Sequence, residues 1–404
     1  MDKEASRSLK YIDMKKISAI FTFFMVMMLS ACGGDDGLTN VAEASGNDQD
    51  QDGTTVAIDS MYDYQLPVIF HVLYQDKNDV SQYIPASRLK NLLEYVNQLY
   101  QGGIYGESSN VHVKFVLAEQ DENGRKLSTP GVEYLYYPDA YPIDENAFMV
   151  SSDNRKYIWD PNEYINIMMY PFKEGEGGYV LGISHMPYTI KGNNQLKGLE
   201  ETTETYISKN RLGYPLCSSI NSIFVAQTAE GGYYQSDRYT ASNHQATYLT
   251  SADIVVTMAH ELGHYLGLFH MFTEDNSSTQ SADWYAPVDS CGDTDYCLDT
   301  PSYNRSEYDN YLSEYLSGQS SSALSAWDLL KRYDCDGNMF YSANIMDYSF
   351  SRGFYISPDQ KARIRNVLYY SPLVPGPKLN GANKNTRAVS DEQGKMYERP
   401  RLIR

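Results

Sequence analysis

Three of the seven histidines in the chain fall within eleven residues, HELGHYLGLFH, which runs from His260 to His270. His260 and His264 are four positions apart, so on a helix their imidazoles lie on one face and can reach one metal ion. Gly267 predicts the end of that helix, because glycine adopts the left-handed conformation at no steric cost. The turn that follows can bring His270 back as a third ligand. Glu261 points in a direction next to that of His260, so it can approach a metal-bound water without binding the metal itself.

These residue types have the chemistry that peptide-bond hydrolysis needs. Three neutral imidazoles leave the fourth position of a zinc ion open for water, which is typical of catalytic sites, whereas structural sites are closed by four protein ligands. Zinc lowers the pKa of such a water to about 7, and Glu261 can take the proton and pass it to the leaving amine. The alternative is a helix with surface histidines, but the full pattern arises by chance on the order of 10⁻⁵ times in such a chain.

The elements that must position this motif predict an α+β fold with a mixed sheet. Apolar runs and alternating patterns predict strands, and apolar residues at helical spacing predict an amphipathic helix before the second strand. A last helix is expected to begin after Ser357 as N-cap. The predicted elements are strands at 66–74, 111–118, 164–172, 179–187 (an edge strand) and 221–227, and helices at 84–100, 250–266 and 357–370.

The motif HELGHYLGLFH resembles the extended zinc motif of the metzincin metallopeptidases. NIMDY (344–348) resembles their methionine turn. CGDTDYCLDTP (291–301) and ISPDQKARIRNVL (356–368) resemble regions of the pappalysin (cytophagalysin-like) family within that group. With LPVIFHVLY (66–74) the similarity spans residues 66–370. It implies a metzincin-type catalytic domain with a twisted mixed sheet, a backing helix, a zinc-site helix and a loop-rich C-terminal subdomain.

The resemblance implies a role for each matching residue. His260, His264 and His270 would bind zinc, and Glu261 would be the general base and acid. Met346 would pack as an apolar floor beneath the metal, and Gly267 would turn the chain. Tyr348 matches a tyrosine whose hydroxyl can stabilise the oxyanion; the alternative is a core tyrosine, one of 37 in the chain.

An acidic loop follows the zinc helix. Its carboxylates are hard oxygen ligands that suit Ca²⁺, and relatives of the family bind structural calcium nearby. We name Asp293, Asp299 and Thr300 as the first candidate ligands. Cys297 interrupts the family pattern there, and a solvated acidic loop is the alternative interpretation.

The four cysteines after the N-terminal segment predict two disulfides, with three connectivities open. The resemblance implies a bridge between Cys291 and Cys335. This bridge would leave Cys217 and Cys297 as the second pair.

The N-terminus has the pattern of a targeting segment. Lys15 and Lys16 precede an apolar run that ends in LSAC (29–32), which resembles the lipobox of bacterial lipoproteins. The resemblance implies cleavage before Cys32 and acylation of that cysteine, with the GGDD that follows typical of a surface-exposed protein of the outer membrane. An ordinary signal peptide with a chance cysteine is the alternative.

Four segments follow from these patterns. The predicted boundaries are 1–31 for the signal peptide, 32–60 for a flexible acidic tether, 61–370 for the metallopeptidase domain and 371–404 for a loosely ordered tail.

The net charge of −19 argues against nucleic acid as a partner, because phosphates would be repelled. The expected partners are protein or peptide substrates, together with a membrane reached through the lipid on Cys32. The leading hypothesis is therefore an extracellular zinc endopeptidase. The alternative is a non-catalytic binding or adhesion lipoprotein on the same fold, which is less favoured because Glu261 is retained.

Overall fold

The computed structural model describes residues 46–49, 55–175, 180–226, 253–274, 288–318, 324–379, 397 and 399–403. Short 3-10 turns lie at Ser152–Tyr157, Lys209–Arg211 and Ser222–Phe224. The helices are α1 (Ala86–Gln101), α2 (Glu145–Val150), α3 (Ile254–Tyr265), α4 (Arg305–Gly318), α5 (Ala326–Leu330) and α6 (Pro358–Tyr370). The strands are β1 (Gly46–Gln49), β2 (Thr55–Ile58), β3 (Tyr64–Tyr74), β4 (Val113–Leu117), β5 (Val132–Tyr136), β6 (Ile165–Tyr170), β7 (Gly182–His185), β8 (Tyr188–Ile190), β9 (Glu200–Thr202), β10 (Ser218–Asn221), β11 (Lys331–Tyr333), β12 (Met339–Tyr341) and β13 (Leu402–Ile403).

A mixed sheet of seven strands forms the centre of the described chain. Six of them lie in the order β13-β7-β10-β6-β3-β4, and the seventh, β5, also pairs with β3. The long strand β3 pairs with β4 along its first half and with β5 along its second half. Strands β3, β4, β5, β6 and β10 run parallel, whereas β7 and β13 are antiparallel to their neighbours. This arrangement of a mixed sheet with separate helices confirms the predicted α+β class.

The buried faces of these elements follow from their sequences. Every residue of β6, INIMMY, is buried, as expected for a parallel strand that is covered on both faces. Helix α1 buries the predicted apolar stripe that includes Leu92 and Val96. On its buried side, the Tyr100 hydroxyl donates a hydrogen bond of 2.9 Å to the carbonyl of Ala259 in α3. Helix α3 is therefore held between α1 and the sheet.

Several predicted boundaries were wrong. The predicted flexible tether contains an antiparallel pair, β1 with β2, and Ile58 at its end is buried in the main core. The strand expected at 221–227 instead covers Ser218–Asn221. Part of the predicted loose tail packs on the domain, because Leu373 and Val374 are buried and β13 extends the sheet.

The loop-rich region after the zinc motif contains the helices α4 and α5 and a small core that includes Phe272 and Tyr303. A disulfide joins Cys291 to Cys335 there, as the resemblance implied. The second predicted bridge was wrong, because Cys217 and Cys297 are both free and buried. Cys217 precedes β10 and packs against the Met149 sulfur, so it is held in the main core.

No helix in the described ranges is long and apolar enough to cross a membrane.

Candidate metal centre

Helix α3 begins and ends as its sequence requires. Asp253 is the N-cap, and its side chain accepts hydrogen bonds from the backbone N–H groups of Val255 and Val256. The predicted start at residue 250 lies outside the described residues. At the other end, Gly267 has a φ of +95°, and its N–H donates to the carbonyl of His264 at 2.9 Å. The predicted glycine turn is confirmed.

The turn brings the three histidines of the motif together. The Nε2 atoms of His260 and His264 are 3.0 Å apart, and each lies 3.1 Å from the Nε2 atom of His270. All three side chains are buried. In the described part of the chain, these histidines are the only cluster of His, Cys, Asp or Glu side chains that could hold a metal ion.

The hydrogen bonds of the Nδ1 atoms determine the tautomers of two of the rings. His260 Nδ1 lies 2.7 Å from the carbonyl of Ile345, and His264 Nδ1 lies 2.7 Å from the carbonyl of Leu268. A carbonyl only accepts, so each Nδ1 must carry the proton, and each Nε2 then presents a lone pair. Burial favours this neutral form, since it lowers the pKa of His260 to about 4 and that of His264 well below its usual value.

The converging lone pairs fit a metal ion. Lone pairs at this separation repel one another unless a cation lies between them. Tetrahedral zinc with Zn–N bonds of 2.0–2.1 Å places its nitrogens roughly 3.3 Å apart, within a few tenths of an ångström of the observed spacing.

The third ring has a carboxylate partner that the sequence did not reveal. His270 Nδ1 lies 2.8 Å from Glu274 Oε1, and Glu274 Oε2 lies 3.5 Å from Arg401 Nη2. Burial raises the pKa of Glu274 above its usual value. Such a second contact fixes the ring orientation and tautomer of a metal-binding histidine. The only signal in the sequence was an acidic residue four positions after a histidine, which is too common to be informative.

The predicted methionine turn lies beneath α3. Met346 is fully buried, and a Cβ atom on Gly263 would lie 2.6 Å from its sulfur. Asn344 Oδ1 accepts a hydrogen bond of 2.8 Å from the Met346 N–H, and the Asn344 amide also pairs with Gln360 in α6. Ser357 caps α6 as predicted, with a complete capping box.

Tyr348 follows the turn and faces the histidines. Its ring centroid lies 4.4 Å from that of His270 and 5.6 Å from that of His260. The guanidinium carbon of Arg305 is 4.7 Å from the ring centroid on another side. Burial raises the pKa of Tyr348 well above its usual value, so the hydroxyl keeps its proton and can donate it in a hydrogen bond.

A buried ion pair supports the backbone at Tyr348. Arg332 Nε lies 3.4 Å from Asp347 Oδ2, and both side chains are fully buried. Arg332 also donates to the carbonyls of Tyr348 and Phe350, at 3.1 Å and 2.7 Å. This pair was not predicted, because a single arginine and a single aspartate far apart in the sequence carry no signal of burial.

Glu261 follows His260 on α3, and its side chain is directed toward the sheet. It is 2% exposed, and its side chain packs against β7 at Gly182. A Cβ atom on Gly182 would come within 2.5 Å of Glu261 Oε1. The absence of a side chain on Gly182 therefore leaves room for the Glu261 carboxylate.

The acidic loop gives the calcium prediction no support. Asp299 accepts hydrogen bonds from Ser357 Oγ and the Asp359 N–H, at 2.5 Å and 2.8 Å. Asp293 accepts from a backbone N–H within its own loop, and Thr300 Oγ1 donates to Asp295 at 2.7 Å. The candidate ligands thus bind different partners. Cys32, the predicted lipidation site, lies outside the described residues.

Three converging imidazoles, with Glu261 on the same helix, are an arrangement typical of metallopeptidase active sites. Residues 217–369 match the model of the Peptidase_M43 family, which is described as pregnancy-associated plasma protein-A. The predicted pappalysin resemblance is therefore confirmed over this segment, which contains the histidines, the methionine turn and all but the last residue of α6.

Solved structures with partial similarity include mature mirolysin of Tannerella forsythia in complex with a cleaved peptide. It is 18% identical, with 74% of this chain and 90% of that chain covered and a TM-score of 0.46. A promirolysin mutant from the same organism is 17% identical, with 76% and 81% covered and a TM-score of 0.44. No curated protein matches the chain.

Proposed function

We propose that the protein is a zinc-dependent endopeptidase that hydrolyses extracellular proteins or peptides. The observation that carries this proposal is the convergence of three Nε2 lone pairs within 3.1 Å, on the helix and turn that also carry Glu261. His260, His264 and His270 would hold the zinc ion. When bound, zinc polarises the scissile carbonyl and lowers the pKa of a coordinated water to about 7.

Glu261 carries the proton transfers in this proposal. Its carboxylate takes a proton from the attacking water and delivers it to the nitrogen of the leaving amine. Two features support this role: the side chain is almost completely buried, and the absence of a side chain at Gly182 leaves room for its carboxylate. A carboxylate that is held in place close to the reacting atoms contributes roughly 10²–10⁴-fold to the rate.

Tyr348 is the proposed donor to the oxyanion. Its ring lies against two of the three histidines, and its hydroxyl keeps its proton at neutral pH. A donor that is already in place where negative charge develops needs no reorganisation during the reaction. The ion pair of Arg332 and Asp347 stabilises the backbone on which Tyr348 is placed.

A peptide library tests the proposal. We would incubate the full chain with mixed peptides, with and without a zinc chelator, beside Glu261→Gln, which keeps the shape of the side chain but removes the base. We expect cleavage that chelation abolishes and that the substitution lowers by about 10²-fold or more. Equal cleavage by both proteins would reveal a contaminant. Peptide binding without cleavage would favour the non-catalytic binding protein instead.

We also propose that Cys32 carries a lipid that anchors the protein to the bacterial outer membrane, facing outward. The basis is the LSAC pattern and the acidic residues that follow it. Labelling cells with an alkyne-tagged fatty acid tests this, with Cys32→Ser as the control. Equal label on both proteins would contradict the proposal.

A further inference from the structure

The outer edge of β7 is covered by a segment from far along the chain. In β13, Leu402 pairs with His185 and Ile403 pairs with Ser184, in antiparallel register. The Met186 N–H donates a hydrogen bond of 2.9 Å to the carbonyl of Arg401. Leu402 and Ile403 are 3% and 2% exposed, so this short strand is well packed.

The same strand, β7, adjoins the candidate catalytic residue. Gly182 at its start is in contact with Glu261, two residues from the position where β13 pairs. Extended peptides commonly bind proteins by adding a strand to a sheet edge through main-chain hydrogen bonds. A peptide lying along β7 toward Glu261 would need the backbone groups of residues 184–186, which β13 uses.

The Arg401 side chain also contacts Glu274, the residue that hydrogen-bonds to His270. Arg401 Nη2 lies 3.5 Å from Glu274 Oε2, and the Arg401 guanidinium carbon lies 5.3 Å from the Phe269 ring centroid. Glu274 in turn accepts the hydrogen bond from His270. The segment is thus connected to the metal centre as well as to the sheet edge.

We propose that residues 399–403 compete with peptide substrates for the outer edge of β7 and so act as an intramolecular inhibitor. This inference rests on the proposed peptidase function. Because β13 is only two residues long, few main-chain hydrogen bonds hold it, and local opening costs far less than global unfolding. If the form in which β13 has separated from β7 is roughly 1–10% populated, substrates bind about 10- to 100-fold more weakly than they would to a β7 edge that β13 never covers.

The test compares the full chain with Leu402→Asp, which places a charge in the buried strand. Leu298→Asp is the matched control, because Leu298 is 90% exposed. For Leu402→Asp we expect a KM for peptide cleavage about 10-fold or more lower, nearly unchanged kcat, and faster hydrogen exchange at the Met186 amide. Faster exchange with an unchanged or higher KM would overturn the proposal. If Leu402→Asp does not fold, Leu402→Ala replaces it. We expect Leu402→Ala to lower KM by a smaller factor, in proportion to its increase in hydrogen exchange rate at the Met186 amide.

A binding measurement separates this inference from the proposed function. A fluorescein-labelled peptide of residues 397–403, YERPRLI, is titrated into the Glu261→Gln chain with and without Leu402→Asp. We expect binding at least about 10-fold tighter when the internal strand is weakened. Tighter binding without cleavage by any form would contradict the peptidase and leave the edge inference standing. Cleavage by wild type with equally weak peptide binding in both chains would contradict the inference alone.

Discussion

Gly182 and Glu261 are in such close contact that a Cβ atom on residue 182 would lie 2.5 Å from Glu261 Oε1. Any side chain at position 182 must therefore displace the proposed general base. We predict that Gly182→Ala lowers kcat for peptide cleavage by roughly 10- to 100-fold, since misplacing a proton-transfer group weakens its contribution. Zinc content should not change. Gly292→Ala is the control, because its Cβ would meet no atom within 4 Å; equal activity of both variants would contradict the assigned position of Glu261.

Tyr348 is expected to act through its hydroxyl. Tyr348→Phe should lower kcat by about 10-fold or more, with a small change in KM, because the loss of an oxyanion donor affects the transition state most. Tyr333→Phe, which alters a 55% exposed tyrosine, is the control. If Tyr348 is only a packing residue, its variant will keep wild-type kcat.

Glu274 is expected to hold His270 for metal binding. Removal of the carboxylate in Glu274→Ala should weaken zinc affinity by roughly 10- to 100-fold, as measured by competition with a chromogenic chelator. Glu307→Ala removes the same charge from an exposed position and should leave the affinity unchanged. Identical zinc affinities in the two variants would show that the Glu274 hydrogen bond does not support the site.

The histidine cluster could be predicted from sequence because its parts are local. The spacing of His260 and His264 on one helical face, and the glycine turn that returns His270, depend on helix geometry alone. Gly182 and Glu274 were missed for the opposite reason. Their roles arise where β7 packs on α3 and where the chain after the motif folds back, and no local pattern encodes either contact.

The disulfide prediction was limited in the same way. Cys291 and Cys335 form a bridge, but Cys217 lies directly before β10 in the main core, packed against Met149. An even number of cysteines does not show which thiols the fold brings together and which it buries far from any other thiol. The tail was mispredicted because LI in RPRLIR gives too short a signal for a strand, although pairing with β7 buries both residues.

Asp295 should make the stability of the fold depend on pH. Burial raises the pKa of Asp295 from 3.8 to about 7. Between these values the folded protein holds a proton that the unfolded chain has released, so the free energy of unfolding falls as pH rises from about 4 to 7. Asp295→Asn resembles the protonated form and should lack this loss. Its advantage over wild type in urea unfolding should grow to roughly 2–4 kcal/mol at pH 7.

The control for this measurement is Asp336→Asn, since Asp336 is exposed. A constant difference between Asp295→Asn and wild type across this pH range would contradict the assigned proton. The same experiment tests the calcium prediction. A bound cation would keep the carboxylates of the loop ionised, so a large gain in wild-type stability when Ca²⁺ is added at pH 7 would revive that site.

Three histidines are proposed to hold a zinc ion whose fourth position is open. Zinc-edge anomalous diffraction from crystals of the full chain measures this directly. We predict one zinc ion bound by the Nε2 atoms of His260, His264 and His270 at about 2.0–2.1 Å, with solvent as the remaining ligand. A zinc ion bound by fewer than these three histidines, or closed by a fourth protein side chain, would contradict the account.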